Sequence, residues 1–146
     1  MTAEPQSTPP PPPAKRIFSN EELSDLVPGL GTIMPEIGAR TWKLYYAAKA
    51  QNWPMANFQV NEIRGLMRKG GFTRPKYTED LQTYVDEHLS ELRTAIQQKD
   101  FPAFDAAFKN AIESANSWHD YYDKKYIVWK LPEAAPPDLD LTPRED

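Results

Sequence analysis

The chain has 146 residues, 15 of them proline, no cysteine and a formal net charge of −4. That length suits one domain, and the missing cysteines exclude disulfides, thiolate metal sites, a cysteine nucleophile and thioether-linked haem. Residues 131–146 hold five acids against one base and so carry the whole charge, which leaves 19–130 near neutral and poorly matched to nucleic acid; no apolar run approaches the length of a membrane span.

The first 16 residues, MTAEPQSTPPPPPAKR, offer nothing to bury. Pro9 to Pro13 reads as a stiff, solvated polyproline II spacer, and residues 1–18 as a disordered Pro-rich tail. An SH3-type ligand is the other reading of the run, and Lys15 and Arg16 are its only flanking bases. A signal peptide would show a basic start and about 7–15 apolar residues. Neither is written here, so the sequence predicts a cytoplasmic protein. A signal removed ahead of a Pro-rich spacer would place it in the periplasm instead.

From Ser19 the pattern is helical. Ser19 and Glu22 have the spacing of a capping box, which predicts a short helix at about 20–26. Pro28 and Pro35 break the register, and a long helix is expected at about 32–51 after a turn through Pro28-Gly29-Leu30-Gly31. Asn52 caps the next helix, with Pro54 in its first turn, and that helix should run to Lys69 and stop at Gly70-Gly71. After a loop over 70–77, Thr78 with Glu79 and Asp80 starts a third long helix, its acids at the positive end. Leu81, Tyr84, Val85, Leu89, Leu92 and Ile96 give it an apolar stripe. Asp100 caps the fourth, with Pro102 in its first turn and Phe104, Phe108, Ala111, Ile112, Ala115 and Tyr122 as its stripe. No stretch alternates with period two, and Pro132 should end the ordered region. The prediction is an all-α chain, an antiparallel up-and-down four-helix bundle over 19–131, with an extended, disordered acidic tail over 132–146.

Residues that could carry chemistry are few. His88 lies on the stripe of the third long helix and His119 on that of the fourth. With a carboxylate such as Glu62 they could hold a metal, but no Glu-x-x-His pair supports it, and no metal site is expected. Ser90 and Ser114 sit in no nucleophile motif, and Gly29-Leu30-Gly31 follows no strand, which argues against a phosphate loop. The aromatics are denser. Trp42, Tyr45, Tyr46 and Trp53 on one side, and Trp118, Tyr121, Tyr122, Tyr126 and Trp129 on the other, could frame an apolar pocket with phenolic handles.

Ile37-Gly38-Ala39-Arg40-Thr41-Trp42-Lys43-Leu44-Tyr45-Tyr46-Ala47, followed by Ala50-Gln51-Asn52-Trp53-Pro54-Met55-Ala56, resembles a family of small bacterial c-type cytochromes, four-helix proteins similar to cytochrome c-prime. The later Ala95-Ile96-Gln97-Gln98-Lys99-Asp100 with Phe104 and Phe108, and the exit Tyr126-Ile127-Val128-Trp129-Lys130-Leu131-Pro132 with Pro136, are similar to it as well. The resemblance covers about residues 28–137. That family attaches haem through Cys-x-x-Cys-His on its last helix. The motif falls here on Ala115-Asn116-Ser117-Trp118-His119, so both cysteine positions have changed while His119 matches the axial histidine. Where the family often has a second histidine, this chain has Thr41. The resemblance therefore implies a bundle without covalent haem, with Trp118 and Tyr122 in part of the vacated space.

Three functions follow as expectations. The first is a non-catalytic binding or interaction protein without a cofactor. Its partner is an unidentified protein or a small apolar or aromatic ligand in a pocket of Thr41, Tyr45, Ala115, Trp118 and Tyr122. The second is noncovalent haem or metal binding through His119, in a sensing or carrier role. The third is an enzyme or enzyme subunit acting on an aromatic substrate, with Tyr45, Tyr46, Tyr122 or His88 as acid–base groups. A filled bundle centre would favour protein interaction, and a concave apolar cavity would favour a ligand. By analogy with bundles of this type, a homodimer through the first two long helices is expected.

Overall fold

The computed structural model of the protein describes residues 3–5, 7–12 and 15–144. Of the polyproline run, Pro9–Pro12 is exposed and outside any helix, and Pro13 lies outside the described residues. Helix α1 (Asn20–Leu26) starts at the expected capping box. Ser19 Oγ accepts from Glu22 N–H at 3.1 Å, and Glu22 Oε1 accepts from Ser19 N–H at 3.1 Å. None of its residues is buried, so the cap and a 2.7 Å Arg16–Glu22 ion pair hold it, without help from the core.

Helix α2 (Leu30–Lys49) contains Pro35 instead of breaking there. Proline removes one helical hydrogen bond, to the carbonyl four residues back. That carbonyl belongs to Gly31, which is exposed, so water can serve it. Helix α3 (Trp53–Thr73) starts where Asn52 Oδ1 accepts from Met55 N–H at 3.2 Å. It runs past Gly70-Gly71, correcting the expected stop. Both glycines are buried in ordinary helical backbone. A Cβ on Gly70 would come 2.8 Å from Leu30 Cδ2, and one on Gly71 would come 3.2 Å from Thr78 Cα. They are spacers that let neighbouring elements approach α3, not a C-cap.

A 3₁₀ turn (Pro75–Tyr77) leads into α4 (Thr78–Tyr84), a π turn (Val85–Leu89) and α5 (Ser90–Gln97), which continue one another as a single rod. The π turn has a cause in the sequence. Tyr84 and Leu89 are both buried but five residues apart, and five α-helical steps put them on different faces. One extra residue in the turn restores the shared face. Helix α6 (Phe101–Tyr121) is capped by Asp100 Oδ1, which accepts from Ala103 N–H at 3.1 Å.

The described residues are all helix and connection, without a strand, and the four long rods form a helical bundle. Helix α2 packs on α3, α3 on α4 and α5, α5 on α6, and α6 on α2. Leu44, Ala47, Ala48, Trp53, Ala56, Val60, Ala95, Ile96, Phe104 and Phe108 are buried where the end of α2 meets the start of α3 and α6. Among the described residues no helix is long and apolar enough to cross a membrane.

After α6 the chain turns back on Asp123, whose φ of 60° is left-handed, and Lys124 N–H donates to His119 O at 2.7 Å. The stretch that follows carries no helix but is docked. Asn116 holds Trp129 by two bonds, from its Nδ2 to Trp129 O at 3.0 Å and to its Oδ1 from Trp129 N–H at 2.9 Å. Tyr46 OH donates to Pro132 O at 2.7 Å, Trp42 Nε1–H to Ala134 O at 2.8 Å, and Asn52 Nδ2 to Thr142 O at 3.4 Å. Pro136 is buried, and Leu131 and Leu141 lie against the core. The acidic stretch expected to be disordered is thus an extended strap along α2. Composition hides this because the strap is gripped by its backbone carbonyls. Glu145 and Asp146 lie outside the described residues.

Candidate functional site

The inward face of α6 is buried through Ala111 and then opens. Ala115, Trp118 and Tyr122 continue the stripe but are only half-buried. They face a cavity of about 940 Å³. The first half of α2 contributes Leu30, Met34, Ile37, Gly38 and Thr41, and the second half of α3 gives Ile63 and Met67. Asp80, Leu81 and Tyr84 come from α4, and Leu89 and Leu92 from beyond it. The strap supplies the remaining wall with Ile127, Val128, Trp129 and Pro132. Trp129 can lie against α2 only because residue 38 is glycine. A Cβ there would come 2.9 Å from its Nε1.

Of the residues expected to form a pocket, Thr41, Ala115, Trp118 and Tyr122 line this cavity together with His119, and Tyr45 does not. Tyr45 lies one turn beyond Thr41, at the packed end. Its ring meets Phe108 at 4.8 Å between centroids and Phe101 at 6.0 Å, and its hydroxyl donates to Asp105 Oδ1 at 3.0 Å. Burial, then that carboxylate, raises the Tyr45 hydroxyl above its ordinary range. Lys109, bonded to the other oxygen at 2.8 Å, holds Asp105 below its own.

Several polar groups of the cavity cluster around Tyr122. Tyr122 OH donates to Asp80 Oδ2, and this bond pushes the phenol up to about 12. The Tyr122 ring lies 5.0 Å from that of Tyr77, and Lys76 Nζ sits 5.5 and 5.9 Å from the Tyr77 and Tyr122 ring centroids. Arg74 and Lys124 also line this end. Deeper in, Tyr84 OH donates to Ala111 O at 2.9 Å, and burial raises its pKa well above that of a free phenol. Pairing Asp80 with Tyr122 needs contact across 42 positions, which no local pattern reveals.

His119, the residue expected as a haem ligand, lines the cavity. His119 Nδ1 lies 3.0 Å from Ile127 O. A carbonyl only accepts, so Nδ1 carries the proton in this bond, the orientation that such outer hydrogen bonds give a ligating imidazole. Thr41, expected at the position of the family's second histidine, has its hydroxyl turned to its own helix, donating to Ile37 O at 2.7 Å. His88 is elsewhere, its ring 5.0 Å from that of Tyr84 and its Nδ1 buried without a partner. Glu62 instead lies 4.0 Å from Arg40. Among the described residues no three His, Cys, Asp or Glu side chains could hold a metal ion. Tyr46 is taken up by the strap, so of the four expected acid–base groups only Tyr122 reaches the cavity. The chain matches no family model, no curated protein and no solved structure.

Proposed function

We propose that this is a non-catalytic binding protein, an antiparallel up-and-down bundle similar to cytochrome c-prime but without covalent haem, whose cavity takes a small apolar or aromatic ligand. The cavity is the observation that carries the reading. Its volume lies in the range of small-molecule sites, about 300–1,000 Å³. Its lining is mostly apolar, and apolar walls favour an apolar occupant over water. The up-and-down order is supported by the helix halves that collect there: the start of α2, the end of α3, the start of α4 and the end of α6.

The test is fluorescence titration with N-phenyl-naphthylamine, a neutral aromatic probe that brightens in apolar surroundings. Saturable binding by the wild type is expected. Ala115→Trp, which puts an indole into the cavity, should weaken it at least tenfold while the melting temperature holds. A wild type that gives no saturable signal overturns the reading.

A further inference from the structure

The cavity is asymmetric, and the asymmetry bears on what the ligand must look like. Away from the end described above, its walls are aliphatic and aromatic apart from Thr41 and His119. At that end stand three cations, Arg74 and Lys124 in the wall and Lys76 over the neighbouring rings. Among the described residues none of the three has a carboxylate within 4.0 Å. The one carboxylate in the wall, Asp80, is engaged by the Tyr122 hydroxyl.

Arg74 is also placed. It is half-buried, and its Nη1 donates to Thr73 O at 2.8 Å. The guanidinium lies across the start of α2, where its Nη2 is 3.0 Å from the point a Cβ on Gly29 would occupy. A guanidinium has five N–H donors, and this one keeps donors over after the Thr73 bond. The start of α2 carries no side-chain cap, so its first N–H groups add partial positive charge at the same place.

We propose that the ligand is an amphipathic carboxylate, an aliphatic acid whose chain fills the apolar cavity and whose head is held by Arg74, with Lys124 as a second cation of the same wall. This rests on the cavity's being a binding site, and it adds the charge and position of the polar group. An aromatic cage for a cationic head is the competing chemistry. It is disfavoured because a protein ammonium, Lys76, already covers the Tyr77 and Tyr122 faces.

The experiment compares dodecanoate with dodecanol as competitors against N-phenyl-naphthylamine at neutral pH. The two share a chain and differ in the head. A charge-assisted hydrogen bond corresponds to roughly tenfold or more in affinity. Dodecanoate should therefore displace the probe at a concentration at least about tenfold lower than dodecanol does. In Arg74→Gln with Lys124→Gln this ratio should fall to within about threefold, and Arg74→Lys should restore part of it. Reading a ratio within each variant cancels changes in cavity shape or folding. A ratio near one in the wild type overturns the carboxylate proposal and leaves the binding reading standing. A ratio that survives the double substitution overturns the assignment to Arg74 and Lys124. If the probe itself does not bind, both fall together.

Discussion

Two tyrosines show how position along the bundle decides a residue's use. Tyr45 and Tyr122 both bond an aspartate, yet Tyr45 is packed among phenylalanines and Tyr122 lies at the cavity. Tyr122 gives a pH test. Its hydroxyl is pushed from about 10 in the unfolded chain up to about 12. A raised folded pKa favours the protonated form, so its contribution is fully present below about pH 10 and is lost as pH rises through about 12. Tyr122→Phe should cost about 1 kcal/mol at neutral pH. It should also flatten the fall in stability between about pH 10 and 12, measured by urea unfolding across that range. An unchanged alkaline slope would mean that the Asp80 bond does not hold in solution. The stripe on the last helix made Ala115, Trp118 and Tyr122 legible as neighbours. The sequence could not show where packing stops and the cavity starts, because that depends on Phe101, Phe104 and Phe108 filling the other end.

At the level of elements, the caps at helix starts were readable, and the backbone turns that end α2, α5 and α6 were not. Ser19, Asn52 and Asp100 cap helices as their side chains suggest. The ends of α2, α5 and α6 instead use Gln51, Lys99 and Asp123 in left-handed backbone, with φ of 60°, 55° and 60°. In each case the following residue's N–H reaches back five positions, to Ala47, Ala95 and His119. That is the usual glycine-terminated geometry without the glycine, so no sequence signal marked it. The glycines that were visible, Gly70 and Gly71, serve close packing inside α3. Left-handed backbone costs a residue with a Cβ about 1–2 kcal/mol, part of which glycine gives back in unfolded-state entropy. Lys99→Gly and Gln51→Gly should each stabilise by about 0.5–1 kcal/mol, read as a higher urea midpoint at constant slope. The π turn was half-legible: the five-residue step from Tyr84 to Leu89 is in the sequence, but either residue could have been left exposed.

At the scale of the molecule, one end is solid and the other hollow, and a non-helical strap closes the hollow end's side. The helical class and the four long rods followed from apolar spacing alone. The strap did not, since Trp42, Tyr46 and Asn52 on or beside α2 grip carbonyl oxygens that every sequence has. Its docking and the filling of the cavity share a surface, because Ile127, Val128 and Trp129 belong to both. Whatever binds only the docked form must oppose undocking by mass action. Digestion offers a clock for this. Lys130 is exposed, and trypsin needs its flanking backbone freed, so cleavage after Lys130 samples moments when the strap has lifted. Saturating N-phenyl-naphthylamine should slow that cut several-fold while cleavage after Lys15 and Arg16 keeps its pace. Equal slowing at both places would point to an effect on the protease, and no slowing would mean that the occupant leaves by another route.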